Sequence, residues 1–137
     1  MSDAPDVLPD DARHLHTARL SVRWGDMDAA GHVNNSRFFS YFEEARVEWM
    51  KTTLDEAMFT DIGPVLASAS CDFERPVRHP ATLVIDVYAG APGRSSIPSY
   101  YVARLDDDDT VVATGEAVLV WVDTDTGKPV PLPDLGL

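Results

Sequence analysis

The chain has 137 residues, 45% of them hydrophobic, which is enough for one packed domain and too few for two. With 23 acidic against 11 basic side chains its formal charge is -12, which argues against general nucleic-acid binding and against binding an anionic membrane surface. A lone cysteine, Cys71, excludes an internal disulfide; with an acidic N-terminus and no long apolar run, the chain reads as cytoplasmic, without a signal peptide or membrane span.

Residues 1–16 are rich in Asp, Pro and His without periodicity and read as a flexible N-terminal segment, leaving residues 17–137 as a single domain. Thr17 to Trp24 alternates apolar and polar side chains, the pattern of a half-buried strand. The loop from Gly25 to Asn35 follows, and then a helix to about Leu54. Phe38, Phe42, Ala45 and Trp49 recur at helical spacing, with Phe39, Val47 and Met50 beside them, so burial on several sides is expected. Asn34 or Asn35 is the N-cap, since a short amide oxygen accepts from an unpaired N–H. After Gly63-Pro64, four strands are expected at Val65 to Arg75, Thr82 to Ala89, Ile97 to Leu105 and Val111 to Val122, with turn residues between them as in antiparallel hairpins. The last strand carries Ala113, Gly115, Ala117, Leu119 and Trp121 on one face, small enough to admit a helix closely. Lys128 to Pro133 reads as extended, polyproline-like coil. One long helix on a curved antiparallel sheet is the α+β architecture that follows.

The loop carries the chemistry. Asp26, Asp28, His32, Asn34 and Asn35 cluster just before a helix start, where backbone N–H groups lack intrahelical acceptors and the dipole favours negative charge. A carboxylate there can attack a carbonyl or activate water while an N–H stabilises the oxyanion, as acyl transfer requires.

The run Arg23-Trp24-Gly25-Asp26-Met27-Asp28 through Gly31-His32-Val33-Asn34-Asn35, then Tyr41-Phe42-Glu43-Glu44-Ala45-Arg46, resembles hotdog-fold thioesterases of the 4-hydroxybenzoyl-CoA thioesterase type. Its His-Val-Asn-Asn segment is also similar to acyl-ACP thioesterases. The resemblance extends from about Thr17 to Pro133 and includes the Gly93-Arg94-Ser95-Ser96 turn. It implies a hotdog fold, a long central helix wrapped by a curved antiparallel sheet, and a homodimer or homotetramer with sites at the subunit interface. It also implies that Asp28 is nucleophile or general base and that Asn35 offers its backbone N–H to the oxyanion, with His32 and Asn34 positioning substrate, water or loop. Asp26 is expected to shape the turn.

The resulting expectation is an acyl-CoA thioesterase with no metal or redox cofactor, coenzyme A entering only as part of the substrate. Among the cations Arg75, Arg78, His79, Arg94 and Lys128, the Arg94-Ser95-Ser96 turn and Arg78 are expected to meet its phosphates, the turn because the resembled family contacts phosphate or pantetheine near it. Two alternatives stand: an acyl-ACP thioesterase, and a non-catalytic acyl-ligand binding or assembly module. Glu43, Glu44 and Glu48 are rivals to Asp28, because one branch of similar thioesterases uses a helix-borne Glu. His14 and His16 lack further metal ligands, Cys71 reads as a buried strand residue, Asp106 to Asp109 as a solvated turn, and Pro98 as marking an edge or bulge.

Overall fold

The computed structural model describes residues 8–55 and 60–137. Strands β1 (Arg13–Ser21), β2 (Ile62–Phe73), β3 (Thr82–Ala89), β4 (Ser96–Leu105) and β5 (Val111–Asp123) form one antiparallel sheet in the order β1-β3-β4-β5-β2. Helix α1 (Asn35–Thr53) packs on one face. No Gly or Pro interrupts it, Asn34 is the N-cap, and the N–H of Leu54 closes the last turn on the Met50 carbonyl. Its buried stripe holds Phe38, Tyr41, Phe42, Ala45, Arg46, Trp49 and Met50, but Phe39 and Val47 remain exposed. Burial is therefore narrower than the aromatic content of the helix suggests, because the sheet covers only one side of it.

On β5, Gly115 makes room for a side chain of α1. A Cβ on Gly115 would stand 2.6 Å from Cε2 of Phe42, so only glycine lets that ring seat. The ring in turn stacks on Tyr101 of β4, with centroids 5.0 Å apart and planes at 17°. Around this contact Leu83, Ile85 and Val87 of β3 are fully buried, each contributing roughly 1.5–3 kcal/mol by leaving water. A second cluster, with Trp49, Ile97 and Trp121, fills the opposite end of the domain.

Several sequence expectations are corrected. Strand β1 begins at Arg13, not Thr17, and pairs with β3 along its length. An irregularity between His14 and His16 breaks the two-residue alternation that would have revealed the strand earlier. Residues 1–7 of the expected flexible segment lie outside the described residues. Pro98 sits in β4, an inner strand, so it marks no edge. Its carbonyl accepts from Gly90 N–H just past the end of β3, so the side of Pro98 that lacks a donor faces a strand that has already stopped. The tail is extended as expected but is tied down, with Val130 N–H on the Trp121 carbonyl and Leu132 N–H on the Arg94 carbonyl. Strand β2 is the surprise: it forms an edge of the sheet, and Val65, Leu66 and Phe73 are 47%, 49% and 42% exposed.

Candidate active site

The loop from β1 to α1 is held by its own backbone. Asp28 N–H donates to the His32 carbonyl and Gly31 N–H to the Asp28 carbonyl, both at 3.0 Å, with Gly31 at φ 82°, where glycine is favoured. Val33 N–H reaches the Val77 carbonyl at 2.8 Å, and Asn34 N–H the Asp26 carbonyl at 2.9 Å. The loop is thereby fastened to the β2–β3 connector and to the helix cap.

Against this frame the Asp28 carboxylate hangs from two donors: Ala30 N–H meets Oδ1 at 2.9 Å and Asn34 Nδ2 meets Oδ2 at 3.1 Å. Asn34 can present its NH2 because its Oδ1 accepts from Ser36, from the backbone N–H at 2.9 Å and the hydroxyl at 2.7 Å. One amide therefore caps the helix and orients the carboxylate. Asn35 is the first helical residue, and its N–H finds no acceptor among the described residues. Asp28, His32, Asn34 and Asn35 border one cleft of about 420 Å³, together with Phe38 and Arg75.

Asp26 takes the other fate open to a loop carboxylate. It is 2% exposed and accepts from the Tyr41 hydroxyl at 2.7 Å, from Arg23 N–H at 3.1 Å and from the Arg23 guanidinium at 3.2 Å. Burial is the largest single influence and favours the neutral acid, but the bonds from Tyr41 and Arg23 and the Arg23 charge together outweigh it, holding the carboxyl below its ordinary range. Burial and the same contact push the Tyr41 phenol up. A depressed folded pKa means that Asp26 stabilises the fold fully above the unfolded carboxylate value of about 3.9, and that this contribution is lost as pH falls through the lower folded value. Asp26→Asn is therefore expected to lower the urea midpoint at pH 7 and to flatten its decline below about pH 4. Parallel pH profiles for the two proteins would remove Asp26 from this role.

The cations are divided between the two ends of the sheet. Arg75 borders the Asp28 cleft, and Arg78 borders the adjoining recess with Pro76 and Val77. The Arg94-Ser95-Ser96 turn joins β3 to β4 at the far end, a strand length of roughly 26 Å away, so it does not meet Asp28 within one protomer. None of the rival helix carboxylates borders the cleft. Glu43 lines a neighbouring pocket, Glu44 faces a recess with Arg19 and Arg37, and Glu48 accepts from His16 at 2.9 Å.

The remaining features are structural. His14 is shared between Thr17 and Asp86, so it and His16 have different partners. Cys71 is half-buried on β2, and burial, with the nearby Asp72 charge, pushes its thiol up to about 12. Asp106 is not simply solvated, since both its oxygens accept from Arg19 at 2.7 Å. Tyr41 and Ser36 escaped the sequence reading. Tyr41 lies three residues beyond Phe38 on the buried helix face, and that phase was the available signal.

A helix packed on a five-stranded antiparallel sheet, with its start facing a loop carboxylate, is the hotdog fold. The thioesterase-like superfamily matches residues 22–135, and the chain belongs to it. A Pseudomonas aeruginosa protein provisionally assigned as a thioesterase is 41% identical with a TM-score of 0.84, over 89% of this chain and 95% of that one. A thioesterase from Thermus thermophilus, solved with coenzyme A and Zn, is 31% identical with a TM-score of 0.75, over 88% of each chain. The 1,4-dihydroxy-2-naphthoyl-CoA hydrolase of Synechococcus elongatus is 30% identical over 118 residues, 82% of this chain and 85% of the relative. Among the described residues no helix is long and apolar enough to cross a membrane.

Proposed function

We propose that this protein hydrolyses an acyl-CoA thioester, with Asp28 as the reacting carboxylate and the Asn35 N–H as oxyanion donor. The observation that carries this reading is the Asp28 carboxylate, oriented by Ala30 and Asn34, in the same cleft as Asn35, whose N–H finds no acceptor among the described residues. That N–H and the helix dipole stabilise the thioester oxygen as it becomes anionic. In one route an Asp28 oxygen adds to the carbonyl and the C–S bond breaks, releasing CoA thiolate and leaving a mixed anhydride that water opens. In the other, Asp28 takes the proton of a water that attacks the carbonyl directly, and the C–S bond then breaks to release CoA thiolate and the free acid. Label found in Asp28 after single turnover in oxygen-18 water would establish the anhydride route with water opening it at the Asp28 carboxyl carbon, because direct attack by water on the thioester leaves both Asp28 oxygens unlabelled. Thiolate is a good leaving group, so neither route calls for a metal or redox cofactor. The loop Asp aligns the protein with the 4-hydroxybenzoyl-CoA type, and the CoA-acting relatives support CoA as the carrier. Arg75 and Arg78 are the phosphate partners within one protomer, while Arg94, Ser95 and Ser96 serve a neighbouring subunit's substrate. The test is thiol release from short-, medium-, long-chain and aryl-CoA esters. Turnover of at least one supports the reading, and none across CoA and carrier-protein esters, with saturable acyl binding, replaces it with a binding module.

The reading includes a homodimer, or a tetramer built from dimers, joined along β2. A twelve-residue edge strand with Val65, Leu66 and Phe73 exposed offers both unpaired backbone groups and apolar surface to a second copy. Light scattering at micromolar concentration should give at least twice the protomer mass. Leu66→Lys should shift the protein toward monomer and lower turnover with it; a monomeric, fully active wild type would remove β2 from this role.

A further inference from the structure

The Arg94-Ser95-Ser96 turn is held more firmly than a hairpin turn needs. Gly93 N–H closes it locally on the Ser96 carbonyl at 2.8 Å. Two further bonds come from segments distant in sequence: Trp121 N–H, on β5, donates to the Ser95 carbonyl at 2.8 Å, and Leu132 N–H, on the C-terminal tail, donates to the Arg94 carbonyl at 2.9 Å. Three consecutive carbonyls of a surface turn are thus tied down by the protein, where water ordinarily serves.

The tail reaches the turn because its own packing places it there. The last pair between β4 and β5 is Ser96 with Val120, and from Trp121 onward the tail takes over as the neighbour of β5 on that side. Asp123 N–H meets the Lys128 carbonyl at 2.8 Å, and Val130 N–H meets the Trp121 carbonyl at 2.9 Å. Leu135, 5% exposed, then anchors the tail in the cluster of Trp49, Ile97 and Trp121, with Val130 and Leu132 packed against it. The turn and the tail therefore form one unit.

What this unit presents is Arg94. Its side chain is exposed and makes no ion pair or hydrogen bond among the described residues. A guanidinium on a mobile turn has to order its backbone as well as its side chain when it meets an anion, whereas one on a fixed backbone orders only the side chain. Clamping the Arg94 carbonyl therefore favours anion binding without the clamp touching the anion.

We infer that the tail is a positioning segment and Leu132 its positioning residue, holding the backbone of Arg94 in place for the phosphates at the nucleotide end of a CoA thioester. The inference rests on the reading above in which Arg94 serves a neighbouring subunit's substrate. The test compares a CoA thioester with the pantetheine thioester of the same acyl group, which keeps the reacting carbonyl and loses the nucleotide phosphates. Its readout is the CoA-to-pantetheine ratio of kcat/KM, which a mere loss of folded protein does not move, since both esters suffer equally. Arg94→Ala should lower the ratio by about tenfold, the worth of one hydrogen bond to a charged group. Leu132→Pro deletes the N–H in a segment already flanked by prolines and should lower the ratio by about three- to tenfold. Leu135→Ala, which loosens the anchor and leaves the turn untouched, should lower it too. Because Leu132 acts through Arg94, the ratio in Arg94→Ala/Leu132→Pro should fall no further than in Arg94→Ala alone. A wild-type ratio in Leu132→Pro, or losses that multiply in the double variant, overturn the inference and leave the Arg94 reading standing. If Leu132→Pro does not fold, an unmoved ratio in Leu135→Ala overturns it. An unchanged ratio in Arg94→Ala removes the Arg94 reading, and the inference with it. Should no ester be hydrolysed, the thioesterase reading fails on its own account, and calorimetric titration of the same variants with CoA and with pantetheine supplies the ratio as Kd values, judged by the same outcomes.

Discussion

Asp28→Asn is expected to lower kcat on the best acyl-CoA ester by about 10²–10⁴-fold, the range lost when a positioned acid–base group is removed. The substitution keeps the shape of the side chain, so the loop should survive it. Backbone bonds from Asp28 N–H to His32 and from Gly31 N–H to Asp28 are untouched, and the single amide oxygen can still accept from Ala30. What disappears is the second acceptor facing Asn34 and the negative charge that attacks the carbonyl or deprotonates water. The stability change should be about 0.5–1.5 kcal/mol, the worth of one exposed hydrogen bond, while the activity change is far larger. Thiol-release kinetics and a urea titration on the same preparation measure both. Undiminished turnover in a folded variant would falsify the assignment and move the search to Glu43, the helix carboxylate on the seam beside the cleft.

Gly115→Ala should destabilise the fold by about 1–3 kcal/mol although it adds a single methyl group. The new Cβ would lie 2.6 Å and 2.9 Å from two Phe42 ring carbons and 3.2 Å from the Ser70 carbonyl, so it is hemmed in by a ring and by backbone. Phe42 has little room to give way, being stacked on Tyr101 and tilted against Phe38 with centroids 6.5 Å apart. The melting temperature should fall by roughly 4–10 °C. Phe42→Leu removes the clashing ring edge, so the double variant should be more stable than the sum of the two single losses. Strict additivity, or an Ala variant as stable as the wild type, would mean that α1 can move off β5 without cost.

The two predictions draw on different layers of information. The small face of β5 was visible as Ala113, Gly115 and Ala117 spaced two apart, and the long helix as apolar residues spaced three and four apart; both are local periodicities. Strand β1 was misjudged at its start because the irregularity between His14 and His16 interrupts such a period. Pro98 was misjudged because its tolerance depends on where β3 ends, a fact about a neighbouring strand.

At the site, a short loop close in sequence to its helix was legible, since its groups are bound to be near one another once the helix forms. Asp28, His32, Asn34 and Asn35 fall within eight residues and duly border one cleft. Spacing alone left the two carboxylates equivalent, and the resemblance to thioesterases assigned the chemistry to Asp28 and the turn to Asp26. Tertiary structure separated them, burying Asp26 beneath Tyr41 of α1 and leaving Asp28 at the mouth of the cleft. It likewise moved Arg94 to the opposite end of the sheet, set Arg75 beside the cleft, and buried Arg46 in a pocket bordered also by β2 and β4. The amino-acid sequence by itself thus determined the helix, most strand positions and the residues offered by the loop, because these follow from neighbours a few bonds apart. Which carboxylate meets water, which cation stands by it and which lies buried were decided only when strands distant in sequence paired, since burial and charge proximity are properties of the assembled sheet and helix.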